Sequence, residues 1–151
     1  KTNSSLAARS QSNPKQALVM SSTVAYRQGS LEDLTKLKFA ADLPATSASV
    51  EFNVVGMGHE FWIGVDKDVI VALTVLARAS TKKRTILYLH VSDSCKKLGI
   101  GSALIRSVLR AYPESEFTVI PFEGTNEFYA RLGFTKSGQW EMRKSARLSP
   151  H

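Results

Sequence analysis

The chain has 151 residues and a formal net charge of +7, a length that suits one domain with a substantial core. No apolar run reaches the roughly 18 residues that a membrane span requires, so we expect no membrane partner. The single cysteine excludes an internal disulfide framework and favours a reducing, cytoplasmic compartment. The basic excess is typical of proteins with anionic partners, such as nucleic acid or a phosphorylated cofactor. An ordinary solvated basic surface would give the same charge.

The first 22 residues differ in composition from the remainder of the chain. They contain six serines and no acidic residue, and they show no apolar periodicity. We therefore expect residues 1–22 to be a disordered leader or an added segment, with Met20 as a candidate start. Residues 23–151 are then predicted to form a single domain.

The predicted elements begin with a short β-strand at Thr23–Arg27. Ser30 and Asp33 approximate a capping box at the start of a helix. The leucines of that helix fall on one face: Leu31, Leu34 and Leu37. Residues 44–58 fit either a short helix or an irregular loop.

Three β-strands are predicted next. "FWIGV" and "VIVALTVLARAS" flank the polar turn "DKD" as in a β-hairpin, and "TILYLHV" follows the turn "TKKR". A helix is predicted from Gly101 to Tyr112, where Pro113 ends it.

A strand "EFTVIPF", a short helix from Thr125 to Gly133 and a last strand "GQWEMRK" complete the chain. This order predicts an α/β domain with a mixed sheet. Antiparallel strands come first, a parallel β-α-β crossover follows, and helices flank the sheet.

A glycine pair, Gly99 and Gly101, lies between the third long strand and its helix. A dinucleotide fingerprint would need a third glycine where Leu104 stands, and a P-loop would need four residues between its glycines. A strand, a basic turn and glycines before a helix do suit an anion site, because free backbone N–H groups point out of the helix N-terminus. The alternative is a tight turn whose glycines only relieve backbone strain.

Two motifs in this region resemble those of the GNAT superfamily of acyl-CoA-dependent N-acyltransferases. The first runs from Lys96 to Gly101, where the family has Arg or Gln, two residues, then Gly-x-Gly or Gly-x-Ala. The second is "NEFYARLGF", from Asn126 to Phe134. The family often has an asparagine seven residues before its tyrosine, where this chain has Phe122. The resemblance extends over residues 23–144.

The resemblance implies that acetyl-CoA is the cofactor and that no metal is needed. The strands carrying Val91 and Phe117 would separate to admit the thioester, and Tyr129 would protonate the departing thiolate. A phenol with an ordinary pKa of about 10 is a plausible donor. The implied cofactor-binding residues are Leu89, Val91, Lys96, Lys97, Leu98, Gly99, Ile100, Gly101, Ser102 and Asn126.

A general base is harder to identify. The positions at which family members often place glutamate or histidine are Thr85 and Leu87, which do not titrate. The other candidates are His90, Glu51, His59 and Glu60. A water relay or an amine that arrives neutral would also serve. The resemblance gives Cys95 no part in the reaction. Trp62 and Trp140 are interpreted as aromatic residues of the core or sheet, with stacking on a substrate as the alternative.

The sequence therefore predicts an N-acetyltransferase that moves an acetyl group directly from acetyl-CoA to a primary amine, either a small molecule or a peptide N-terminus. The alternative is a non-catalytic module that senses CoA and binds a protein partner. A nucleic-acid binder is the least favoured class, and a homodimer is left open.

Overall fold

The structure is a computed structural model that describes residues 23–37, 44–96 and 98–147. The predicted disorder of residues 1–22 falls outside this part of the chain. The strands are β1 (Ala25–Gln28), β2 (Glu60–Asp66), β3 (Val69–Ser80), β4 (Lys83–Val91), β5 (Glu116–Val119), β6 (Thr135–Lys136) and β7 (Met142–Lys144). The helices are α1 (Leu31–Leu37), α2 (Pro44–Glu51), α3 (Ile100–Ala111) and α4 (Asn126–Arg131), with a π-helical turn at Phe52–Gly56.

The seven strands form one sheet in the order β1-β2-β3-β4-β5-β7-β6. Strands β4 and β5 are parallel, and every other neighbouring pair is antiparallel. Helix α3 makes the crossover between the two parallel strands. The predicted mixed sheet, with antiparallel strands before a β-α-β unit, is confirmed.

The chain around α1 shows how local sequence sets the first turns of the fold. The Asp33 carboxylate accepts hydrogen bonds from the Ser30 amide and hydroxyl at 2.8 and 3.0 Å, which completes the predicted cap. It also accepts two bonds from the Arg27 guanidinium at 2.8 and 2.9 Å. This charged hydrogen bonding, together with the Ser30 contacts, holds the pKa of Asp33 well below its usual range although burial opposes it. Leu31, by contrast, is exposed, because it begins the helix.

The hydrophobic core occupies both faces of the sheet. On one face, Leu34, Leu37 and Val50 pack on β2 and β3. On the other, α3 and α4 cover β4 and β5, and the packed side chains include Ile86, Ile105, Val108, Phe117 and Phe134. Burial on both faces accounts for the nearly continuous apolar run of β3.

Two sequence predictions were too long at the C-terminal end. The strand predicted as "EFTVIPF" ends at Val119, because Pro121 lacks the N–H that continued pairing would need. The strand predicted as "GQWEMRK" begins only at Met142. Trp140 was therefore wrongly placed in the core or sheet: it is 70% exposed, whereas Trp62 packs edge-on against Tyr112. The ambiguous segment 44–58 is helical up to Gly56.

Candidate functional site

A slot opens where β4 and β5 stop pairing. The last paired residues are Ile86 of β4 and Val119 of β5. Strand β4 continues to Val91, whereas β5 ends at Val119 and the residues from Ile120 onwards form a loop. The cavity between them has a volume of about 520 Å³. Its lining residues are Leu87, Tyr88, Leu89, Val119, Ile120, Pro121, Phe122, Glu123, Gly124, Thr125, Phe128 and Tyr129.

A bulge in β4 gives the slot its shape. Val75 of β3 pairs with Tyr88 and Leu76 pairs with Ile86, so Leu87 has no partner in the ladder. The extra residue reverses the alternation of side chains. As a result Leu89 lies on the α3 face, as Ile86 does, and Tyr88 packs on the opposite face.

The closed end of the slot is held by Arg84, which is buried. Its guanidinium donates to the Glu60 carboxylate at 3.1 Å and to the Ser115 hydroxyl at 2.9 Å. It also stacks over the Tyr112 ring at 3.6 Å. These contacts join β2, β4 and the turn before β5, two residues before the parallel pairing ends.

The glycine turn lies at the other end of the groove. Gly99 has φ +80° and precedes α3 without a side-chain cap, and the first helical bond runs from the Ala103 amide to the Gly99 carbonyl. The amides of Ile100, Gly101 and Ser102 therefore have no acceptor within the helix. Such free donors and the positive end of the helix dipole attract an anion.

Gly101 allows α3 to lie close against β4. A Cβ atom there would be 3.3 Å from Val91 Cγ2 and 3.5 Å from Leu89 Cδ2. A second cavity of about 450 Å³ borders this contact and shares Leu89, Thr125 and Phe128 with the slot. The two form one groove that joins the helix N-terminus to the gap between the strands.

Most residues of the predicted cofactor site line this groove: Leu89, Val91, Lys96, Gly99, Ile100, Gly101 and Ser102. Lys96 is exposed and pairs with Asp93 at 2.9 Å. Leu98 packs instead against the core beneath α3. Lys97 lies outside the described residues. Asn126 borders a third cavity, where its amide contacts Met142 Sδ at 3.8 Å.

Tyr129 lies on α4 and lines the slot. Its ring is 5% exposed and packs edge-on against Phe128 and Phe134, with centroids 4.9 and 5.5 Å away. Burial raises the pKa of its phenol to about 12. Within the described part of the chain, no side chain or backbone group hydrogen-bonds the Tyr129 hydroxyl.

The predicted base candidates do not meet at the slot. The Glu60 carboxylate is paired with Arg84. Thr85, at one of the positions where the family often has a base, hydrogen-bonds Thr118 at 2.8 Å. The remaining candidates lie outside the lining of the slot: Glu51, His59 and His90. Cys95 is a buried free thiol in the core beneath α3.

Within the described part of the chain, the acidic residue that does line the slot is Glu123, which no sequence motif indicated. It also borders the third cavity together with Trp140. The signal that was available is Pro121, which ends the strand and places the following residues in a loop. Among the described residues, no helix is long and apolar enough to span a membrane, and no group of side chains suits a metal ion.

Comparisons with known proteins agree with this geometry. Residues 57–136 match the family model for an acetyltransferase (GNAT) domain. No curated protein sequence shows significant similarity to the chain. Among solved structures, a ribosomal-protein alanine N-acetyltransferase from Escherichia coli superposes with a TM-score of 0.67 at 11% identity, over 84% of this chain and 96% of the other.

Two further structures illustrate the range of similar folds. Ard1 from Thermoplasma volcanium gives a TM-score of 0.63 at 16% identity, over 80% of this chain and 95% of its own. A GNAT family acetyltransferase from Brucella melitensis, solved in complex with acetyl-CoA, gives 0.65 at 11% identity, over 81% and 87%. At such identities these likenesses establish the fold.

Proposed function

We propose that this chain, which belongs to the GNAT acetyltransferase family, transfers an acetyl group from acetyl-CoA to a primary amine. The observation that carries the proposal is the continuous groove from the free amides of α3 to the slot that contains Tyr129. The acetyl-CoA complex of the Brucella melitensis protein supports the choice of cofactor.

The two ends of the groove suit the two ends of that cofactor. The diphosphate lies against the amides of Ile100, Gly101 and Ser102, and the absence of a Cβ at position 101 keeps this end of the groove open beside Val91 and Leu89. The pantetheine extends along the edge of β4 that β5 leaves free, and Leu89 and Val91 offer backbone groups for pairing in the manner of an added strand. The thioester then reaches the slot beside Tyr129.

The reaction is a direct transfer. The neutral amine nitrogen attacks the thioester carbonyl carbon, so that a C–N bond forms and the C–S bond breaks. The sulfur leaves with the bonding electron pair and takes up one proton, and the amine loses one proton to water. The products are the N-acetylamine and the CoA thiol.

Tyr129 serves this step as the hydrogen donor to the leaving sulfur. Its raised pKa keeps the phenol protonated throughout the neutral range, but it also makes the phenol a weaker acid than an exposed tyrosine. The hydroxyl therefore acts chiefly by hydrogen-bonding the developing thiolate, a charge that the mainly apolar lining of the slot stabilises poorly by itself.

The proposal is tested by titration calorimetry with acetyl-CoA and by CoA release in the presence of a panel of primary amines. Saturable binding and amine-dependent release are expected. Gly101→Glu should abolish binding, because the side chain would meet β4 and its charge would repel the diphosphate. Gly138→Glu is the matched control, since a Cβ there meets only Glu141 at 3.9 Å.

Failure of the unmodified protein to bind acetyl-CoA would overturn the proposal. Binding without release of CoA to any amine would favour the alternative, a module that senses CoA and acts through a protein partner.

A further inference from the structure

The third cavity continues the slot on the side away from the glycine turn. It has a volume of about 470 Å³ and is lined by Pro121, Glu123, Gly124, Asn126, Gln139 and Trp140. The first three of these residues also line the slot. A molecule in this cavity, here called the acceptor cavity, would therefore contact residues that also border the slot.

Large apolar side chains are exposed around this junction. Trp140 is 70% exposed, Phe122 84% and Ile120 69%. Phe122 and Ile120 line the slot, and Trp140 lines the acceptor cavity. Scattered exposed apolar residues are ordinary, but several at two cavities that share residues are typical of a binding surface. Trp140 lies in a loop, where no strand or helix needs a large apolar side chain, and it offers the broad face of its ring.

One charge faces the same space. Among the described residues, Glu123 is the single charged residue that lines either the slot or the acceptor cavity, and none of the others pairs with its carboxylate. In a chain of net charge +7, an unpaired carboxylate at this junction favours a ligand with one positive charge. A polyamine would leave further charges unmatched, and a free amino acid would bring its own carboxylate close to Glu123.

We infer that the acceptor is a monoamine attached to a large apolar group, with aromatic groups preferred. Its ammonium group is attracted by Glu123, and its apolar part is covered by Trp140 and Phe122. The ammonium form predominates at neutral pH, so it releases a proton to water before the neutral amine attacks. This inference rests on the proposed acetyl transfer and names the substrate class of that reaction.

The test compares kcat/KM for 2-phenylethylamine, ethanolamine and spermidine at saturating acetyl-CoA. The kcat/KM for phenylethylamine should exceed that for ethanolamine by at least about tenfold. A single methylene in an apolar pocket already gives discrimination of that size, and a phenyl group should gain at least as much binding free energy. Trp140→Ala should reduce this ratio several-fold. Leu31→Ala is the control for removal of an exposed apolar side chain, and it should leave the ratio unchanged.

Glu123→Gln should raise KM for phenylethylamine by about two- to fivefold, as expected for loss of a solvent-accessible ion pair. KM for acetyl-CoA should not change. Glu114→Gln removes an exposed carboxylate near the start of β5, outside the groove, and should alter neither constant. Unchanged melting temperatures exclude a folding defect in these variants.

A binding experiment keeps the inference testable without turnover. Phenylethylamine titrated into the CoA-bound protein should change tryptophan fluorescence saturably, and Trp140→Phe should remove most of that change. Equal use of ethanolamine, or no saturable binding of phenylethylamine, would overturn the inference while acetyl-CoA binding and CoA release still supported the proposed function. Loss of acetyl-CoA binding itself would overturn both.

Discussion

The substitution Tyr129→Phe separates a catalytic role for this residue from a packing role. Phenylalanine retains the ring that packs against Phe128 and Phe134 and removes only the hydroxyl. Because no described residue hydrogen-bonds that hydroxyl, its removal breaks no internal hydrogen bond. We expect the melting temperature to stay the same or to rise slightly, since a desolvated polar group is removed.

The rate should respond quite differently. A positioned hydrogen-bond donor to a developing negative charge is worth about 10²–10³-fold, which corresponds to about 3–4 kcal/mol of barrier. We therefore expect kcat to fall by about that factor, while acetyl-CoA affinity changes by much less than tenfold. The pKa of about 12 further predicts that the Tyr129-dependent rate shows no alkaline loss below about pH 10.

The assay is single-turnover formation of CoA, with chemistry shown to limit the rate. Tyr26→Phe is the matched control, because the Tyr26 hydroxyl is buried without a hydrogen-bond partner among the described residues and Tyr26 lies outside the lining of the groove. Near wild-type turnover of Tyr129→Phe, or a large loss in the Tyr26→Phe control, would refute the assignment of Tyr129 to the leaving group.

Two further predictions concern the stability of the frame around the site. Asp33→Asn should cost about 1–3 kcal/mol of unfolding free energy at pH 7 through the lost cap and charged hydrogen bonds. Because the pKa of Asp33 is lowered in the fold, the contribution of its carboxylate to stability is present above about pH 4 and is lost as the pH falls further. Urea unfolding at pH 7 and pH 3 should therefore show a smaller difference between wild type and variant at the lower pH. Arg84→Ala leaves Glu60 without its ion-pair partner and should lower the free energy of unfolding by about 3–5 kcal/mol. An unchanged urea midpoint would show that the Arg84 contacts do not stabilise the closed end of the slot.

The glycine turn and the helix N-terminus, which form the donor half of the proposed site, could be predicted from the sequence because they depend on backbone geometry. Gly99 adopts a left-handed φ and Gly101 permits close packing, and both needs are met by few residue types. Such backbone requirements restrict the residue type at fixed positions, so they can be recognised in the sequence as a motif. The order of elements along the chain and the change from antiparallel to parallel pairing followed from apolar periodicity and turn residues, whereas the two-residue strand β6 was not predicted.

The acceptor half could not be predicted, because no local pattern encodes it. The bulge at Leu87 becomes visible only through the register of β3 against β4. Trp140 looks like a strand residue by type, but its loop places it in solvent. Glu123 looks like an ordinary surface acid until the end of β5 brings it beside the slot.

The donor and acceptor parts of the proposed site differ in how readily side-chain substitutions can change them. In the proposed complex the cofactor is held mainly by main-chain amides and by the edge of β4, which side-chain substitutions alter little. The proposed acceptor is contacted mainly by side chains in two loops, residues 120–125 and 137–141, which carry little of the buried core. Since exposed loop positions tolerate substitution at small cost in folding energy, Trp140 and Glu123 can be exchanged without disturbing the acetyl donor. Variants at these two positions should therefore redirect the choice of amine while acetyl-CoA affinity remains constant.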